Sequence, residues 1–240
     1  MPTENIAYHF TSSTLSDGRP IPPIGETLRL EGKLQLCHHG YHWSKSPLAA
    51  LQFLPGSILH KIRYGGEILQ GPDKSCSSER TILASFEASG LLHRFMADQA
   101  LSVAHLWPMS DDVRIYLTTL DKNLKKIKKL EVISFDAEKQ PSTLGNIASN
   151  IAAAAVQFKC GDRPPIWSVV NAIKYILTNE SAITTWKQTV KLHSMTYEEW
   201  DVAQTNNKNA IAHLVWQSIE QDFNSRVFTR FDQLEQETLQ

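Results

Sequence analysis

A change in hydrophobic period near residue 85 constrains the fold more than any other feature of this chain. Before it, apolar residues come in short runs with a period close to two, broken by proline and glycine; after it they recur at helical spacing. "IAYHFTSS" reads as a strand, and "DGRPIPPIGE" as an irregular loop. "TLRLEGKLQLC" alternates Leu28, Leu30, Leu34 and Leu36 with polar residues around Glu31-Gly32, which predicts a short hairpin or a strand pair. In "SPLAALQFL", Ser46 is placed to cap a short helix with Pro47 at its first position. "SILHKIRYGGEIL" predicts a strand with Ile58, His60 and Ile62 on one face, ending in a Gly65-Gly66 turn. From Ser78 onward Leu91, Leu92, Phe95, Met96 and Val103 fall at helical spacing. The expected class is therefore α+β, with a mixed α/β domain over residues 1–85 and an all-helical domain over 86–240.

The remainder continues as amphipathic helices. Ser110 precedes two acids and caps one of them; "KNLKKIKKL" places Lys122, Lys125, Lys126, Lys128 and Lys129 on a polar face. Such a run is more often a solvated face than a contact to phosphate or an acidic partner. The last segment carries a long stripe from Ile211 through Phe223, Val227 and Phe231 to Leu234. A stripe so apolar predicts docking, on the chain's own core or on a second copy as a homo-oligomer, with Trp200, Trp216 and Phe223 as an alternative exposed patch.

Composition narrows the function classes. A net charge of −1 provides no global field for nucleic acid or an anionic membrane. The N-terminus lacks a basic start and an apolar core, and no apolar run is long enough to span a bilayer. Three scattered cysteines, Cys37, Cys76 and Cys160, fit free thiols in a reducing compartment. The expectation is a cytoplasmic protein without a membrane segment.

"LCHHGYHWSKSPLAALQF" (36–53) concentrates the candidate chemistry. His38 and His42 would share a strand face, with His39 pointing away, and no second ligand pair accompanies them, so no metal is expected. Ser44, Ser46 or Cys37 beside a histidine falls short of a nucleophile motif, and neither a Walker loop nor a G-x-G-x-x-G is present. A plainer meaning is an edge or interior strand whose histidines are satisfied by neighbours.

Two resemblances extend this reading. Leu34 to Cys37, Gly40 to His42, Pro47 to Ala50, Pro55 to Ile62, Gly66-Glu67 and Asp73 to Cys76 follow an order that resembles an uncharacterised domain family of phage and bacterial genomes. More distantly, His9 and Thr11 on an opening strand, then Gly40, Tyr41, His42 and Ser44 before a short helix with Ala50 and Phe53, resemble the ADP-ribosyltransferase fold. That resemblance implies NAD as cofactor, held by His9, Thr11, Tyr41 and Ser44, with His42 and a carboxylate in catalysis. Glu67 is the first choice of carboxylate, ahead of Glu79 and Glu87, and none lies in the family's Q/E-x-E motif. The implied activity is ADP-ribosyl transfer to a host protein or nucleic acid. The alternative is a non-enzymatic accessory protein that binds and blocks a protein partner.

Overall fold

The computed structural model describes residues 5–121, 142–158, 166–189 and 197–239. The lysine run 122–129 and Cys160 lie outside them, as do the side chains of 182–189 and of Trp200. Five strands, β1 (Ile6–Thr11), β2 (Thr27–Arg29), β3 (Tyr41–Trp43), β4 (Ile58–Gln70) and β5 (Ser75–Glu87), form one antiparallel sheet. Six α-helices lie among the described residues: α1 (Pro47–Ala50), α2 (Ser89–Ser102), α3 (Asp111–Thr119), α4 (Thr143–Gln157), α5 (Ile166–Thr189) and α6 (Tyr197–Thr238).

The chain divides into two compact units. One holds residues 1–92, 159–164 and 223–240; the other holds 93–158 and 165–222. The expected break at residue 85 differs from this division in two ways. The first boundary falls inside α2, and the C-terminal residues group with the sheet rather than with the helices.

In the sheet unit the order is β1-β4-β5-β2, and β3 also pairs with β5. Tyr8 and Ser44 exchange two backbone hydrogen bonds, of 2.9 and 3.0 Å, which tie the end of β3 back to β1. β1, β4, β5 and β3 thereby close into a ring. Each contributes one residue to a common interior: Ala7, Ile62, Ile82 and Trp43, with Ile21 and Tyr64 packed against them. Burying an aliphatic or aromatic side chain of this size stabilises by about 1.5–3 kcal/mol. The Trp43 and Tyr64 rings stack at 3.9 Å between centroids.

Three local expectations are corrected. "TLRLEGKLQLC" forms neither a hairpin nor a strand pair: β2 pairs with β5, as β3 does beyond it, and residues 35–39 form a tight turn in which Gln35 and His39 are bridged. β4 does not turn at Gly65-Gly66 but runs on to Gln70, with a register shift between Gly65 and Ile68. The reversal comes at Gly71–Lys74, where the Gly71 N–H donates to the Lys74 carbonyl. Ser75–Glu87 is a strand rather than the start of a helix, and α2 begins at Ser89.

Other elements form as their residues dictate. Ser46 caps α1, its Oγ accepting the Ala49 N–H at 3.3 Å. Pro55 and Gly56 follow, and a Cβ on Gly56 would meet the backbone of Ser12 at 2.5 Å, so only glycine fits. The C-terminal end of α6 lies on the sheet. Phe223, Val227 and Phe231 are buried, the Phe231 ring meets Phe86 edge-on at 5.0 Å, and Tyr8 contacts both Phe228 and Phe231. Asn224 accepts the Leu48 N–H, and Lys61 pairs with Glu235. The buried members of the stripe, including Phe223 of the anticipated exposed patch, thus find partners within one chain.

In the helical unit, Ser110 caps α3 with Asp111 and Asp112 in the first turn. Leu120 ends it in a left-handed conformation, and Arg94 donates to the otherwise unpaired carbonyls of Leu117 and Thr118. α4 packs on α5 and on α3, and its Ala148, Ala152, Ala153 and Ala155 are buried. The His93 ring donates to the Ala155 carbonyl and stacks on Phe158. Trp216 is half-buried and packs edge-on against Trp167. Among the described residues no helix is long and apolar enough to cross a membrane.

Candidate functional site

The polar cluster lies on the interior side of the strand ring. β1 and β4 pair so that His9 stands directly opposite His60, their rings stacked at 6.5 Å. Thr11 is buried, and its hydroxyl donates to the Ser12 carbonyl at 2.8 Å. The same oxygen is 2.8 Å from His60 Nε2. The single hydroxyl proton is already committed to the carbonyl, so Nε2–H is the donor to Thr11. His60 Nδ1 is then the acceptor for the Ser85 hydroxyl at 2.6 Å. The result is an ordered chain, Ser85 to His60 to Thr11 to the Ser12 carbonyl, with a neutral imidazole at its centre. Burial, then Arg80, lower the His60 pKa to about 4. Burial pushes His9 well below the imidazole range as well, aided by Arg80, His60 and His42.

Tyr41 is buried on β3, and its hydroxyl donates to the Arg29 carbonyl. The Arg80 guanidinium lies 5.0 Å over the Tyr41 ring. Arg80 is only 5% exposed, an unusual position for a cation, and its Nε has no hydrogen-bond partner. The nearby Asp17 is engaged by Arg19, at 2.8 Å to Nε and 2.6 Å to a terminal nitrogen. Burial dominates Arg80 and lowers its pKa to about 10. A second orphaned donor, Trp43 Nε1, belongs to the same interior.

The histidine-rich turn has a different role from the one its spacing implied. His42 is on β3, but His38 and His39 precede the strand, so no shared strand face exists. His42 Nε2 accepts the Cys37 N–H at 2.8 Å. Cys37 has a φ of 70°, a left-handed conformation that a non-glycine residue holds only with support. His39 Nε2 donates to the Glu31 carbonyl. Burial, Lys74 and Arg80 keep His42 below the usual imidazole range. Among the described residues no three His, Cys, Asp or Glu side chains are grouped to hold a metal ion.

The sequence-predicted residues are thus partly united. His9 and Thr11 share a strand. Tyr41, His42 and Ser44 sit on the strand bridged to it, and Arg80 acts electrostatically on both histidines. Ser44 is buried, with its backbone in the bridge to Tyr8. Glu67 is exposed on β4, its N–H bonded to Ser78 Oγ. It is seven residues beyond His60, roughly 20 Å of strand at about 3.3 Å per residue. Glu79 pairs with Arg29, and Glu87 accepts from Ser57 and from the Ser89 N–H at the start of α2. None of the three glutamates is among the groups that shift His9, His42 or His60.

Sequence reasoning missed His60, Arg80 and Ser85. The missed signal was in "SERTILASFE": its Thr, Ile and Phe content favours a strand, and a strand turns Arg80 and Ile82 to the same face. The arrangement offers neutral imidazoles, orphaned N–H donors and one buried cation. That chemistry suits an acceptor-rich ligand. No protein-family model, curated protein or solved structure matches the chain.

Proposed function

We propose that the sheet unit is an ADP-ribosyltransferase-like module that binds NAD and passes ADP-ribose to a macromolecular acceptor, a host protein or nucleic acid for a phage or bacterial product. The observation that carries this reading is the Tyr8–Ser44 bridge. It sets the His9-x-Thr11 pair beside the Tyr41-His42-x-Ser44 strand, although some thirty residues separate them in sequence. In this reading His9 and Tyr41 hold the nicotinamide end. The bond between nicotinamide and the ribose breaks, an acceptor nucleophile bonds to the ribose carbon, and its proton passes to a base. Glu67 is the carboxylate assigned to steady the cationic transition state.

A second reading, a non-enzymatic accessory protein, draws support from the distance of Glu67 from His9 along β4 and from the fact that none of Glu67, Glu79 and Glu87 acts on the histidines. The experiment is calorimetric titration with NAD of the wild type, His9→Ala and Glu67→Ala, followed by transfer from labelled NAD to a host lysate. Saturable binding abolished by His9→Ala, with transfer lost but binding kept in Glu67→Ala, is the outcome expected of the transferase. Binding without transfer in the wild type favours the second reading. No heat at millimolar NAD removes the cofactor.

A further inference from the structure

We infer that Arg80 is the anchor of a phosphoryl-binding site inside the strand ring, and that its ligand is a phosphate or pyrophosphate group. This deepens the NAD reading by naming the group recognised, and it stands on observations that do not require NAD. A buried guanidinium is normally neutralised by a carboxylate of its own chain, because an uncompensated buried charge is costly. Arg80 is 5% exposed, yet its Nε lacks any hydrogen-bond partner, and its one close ring contact is the face of Tyr41 at 5.0 Å. The acid in its neighbourhood, Asp17, is already held by Arg19.

The surroundings fit an acceptor-only ligand. Tyr64, the register partner of Arg80 on β4, stacks on Trp43, whose Nε1–H is the second buried donor without a partner. Two orphaned donors around one strand neighbour require acceptors, and a phosphoryl group presents several. Arg19, held by Asp17, lies within electrostatic reach of both Tyr41 and Arg80. His9 and His42, both within electrostatic reach of Arg80, keep partial exposure. Arg80 provides the uncompensated positive charge, and its Nε–H and Trp43 Nε1–H provide the donors, a set that a multi-acceptor phosphoryl group fits better than a single carboxylate does.

The test is calorimetry and thermal unfolding of the full chain with pyrophosphate, acetate and NAD at matched ionic strength, on the wild type, Arg80→Met and Arg80→Lys. Pyrophosphate is expected to bind saturably and raise the wild-type Tm, and acetate to do neither. Arg80→Met is expected to melt no lower than the wild type without ligand, because it removes an unpaired buried charge, yet to bind pyrophosphate at least tenfold more weakly. Arg80→Lys, which keeps the charge, is expected to retain part of the affinity and covers the case in which Arg80→Met does not fold. Unchanged pyrophosphate affinity in either folded variant, or no saturable binding by the wild type, overturns the assignment. Pyrophosphate binding without NAD binding leaves it standing while the transferase reading fails.

Discussion

At the scale of single residues, the hydrogen-bond chain through His60 makes a sharp statement about acid. A histidine with an ordinary pKa near 6.5 when unfolded and about 4 when folded binds its proton more readily in the unfolded chain. The unfolded state therefore gains protons as pH falls from about 6.5 to about 4. The contribution of His60 is fully present above pH 6.5 and is lost through that window. A shift of this size corresponds to about 3 kcal/mol. Urea unfolding at pH 7, 6 and 5 is expected to show the wild type losing stability more steeply than His60→Gln. Parallel curves would mean that His60 is not the group responsible. The histidines also show what a sequence conceals. His38, His39 and His42 looked like one cluster because they are near in sequence, and two of them build a turn. His9 and His60 are the pair that faces each other, and their proximity comes from strand register, which no local pattern encodes.

At the scale of elements, the Gly65-Gly66 step is where β4 changes register instead of ending. Gly66 has a φ of 68°, and a Cβ there would collide with Ser78 Oγ, the oxygen that accepts the Glu67 N–H. Gly66→Ala is expected to destabilise the sheet unit by about 1–3 kcal/mol, from left-handed strain and overpacking together. Adding Ser78→Ala should return the overpacking share and leave the strain, which a double-mutant cycle in urea resolves. Additive effects of the two substitutions would exclude the collision. β1, β3, the first half of β4, α1 with its Ser46 cap, and α3 were legible because their signals are local: alternation, a capping hydroxyl, acids in a first turn. β5 was not. Three of its buried positions are polar, Ser75, Ser77 and Arg80, so the apolar alternation that marks a strand is broken. Two adjacent glycines permit either a turn or a bulge, and pairing with β5 decides between them.

At the scale of the molecule, the change in hydrophobic period near residue 85 is legible, and the grouping of residues 223–240 with the sheet is not. The switch from period two to helical spacing separates strands from helices correctly in kind, yet residues 223–240 belong with the sheet. The sequence displayed their apolar stripe; the surface that receives it, Tyr8 and Phe86 on two different strands, exists only once the sheet has formed. A chain ended after Asp222 is accordingly expected to lose cooperative unfolding of the sheet unit and to bind a hydrophobic dye. Adding a peptide of residues 223–240 is expected to restore both, read by circular dichroism and dye fluorescence. A sharp transition in the shortened chain without peptide would show that the sheet stands alone.

That return of the chain imposes an order on biosynthesis. The strands leave the ribosome first, but the residues that cover Tyr8 and Phe86 follow more than a hundred residues later. At roughly 5–20 residues per second, the gap is on the order of ten seconds. Throughout it the nascent sheet presents an uncovered aromatic face to the cell, long enough for a holdase chaperone to engage. Translation that stalls before Phe231 emerges leaves a product marked for proteolysis by the same face.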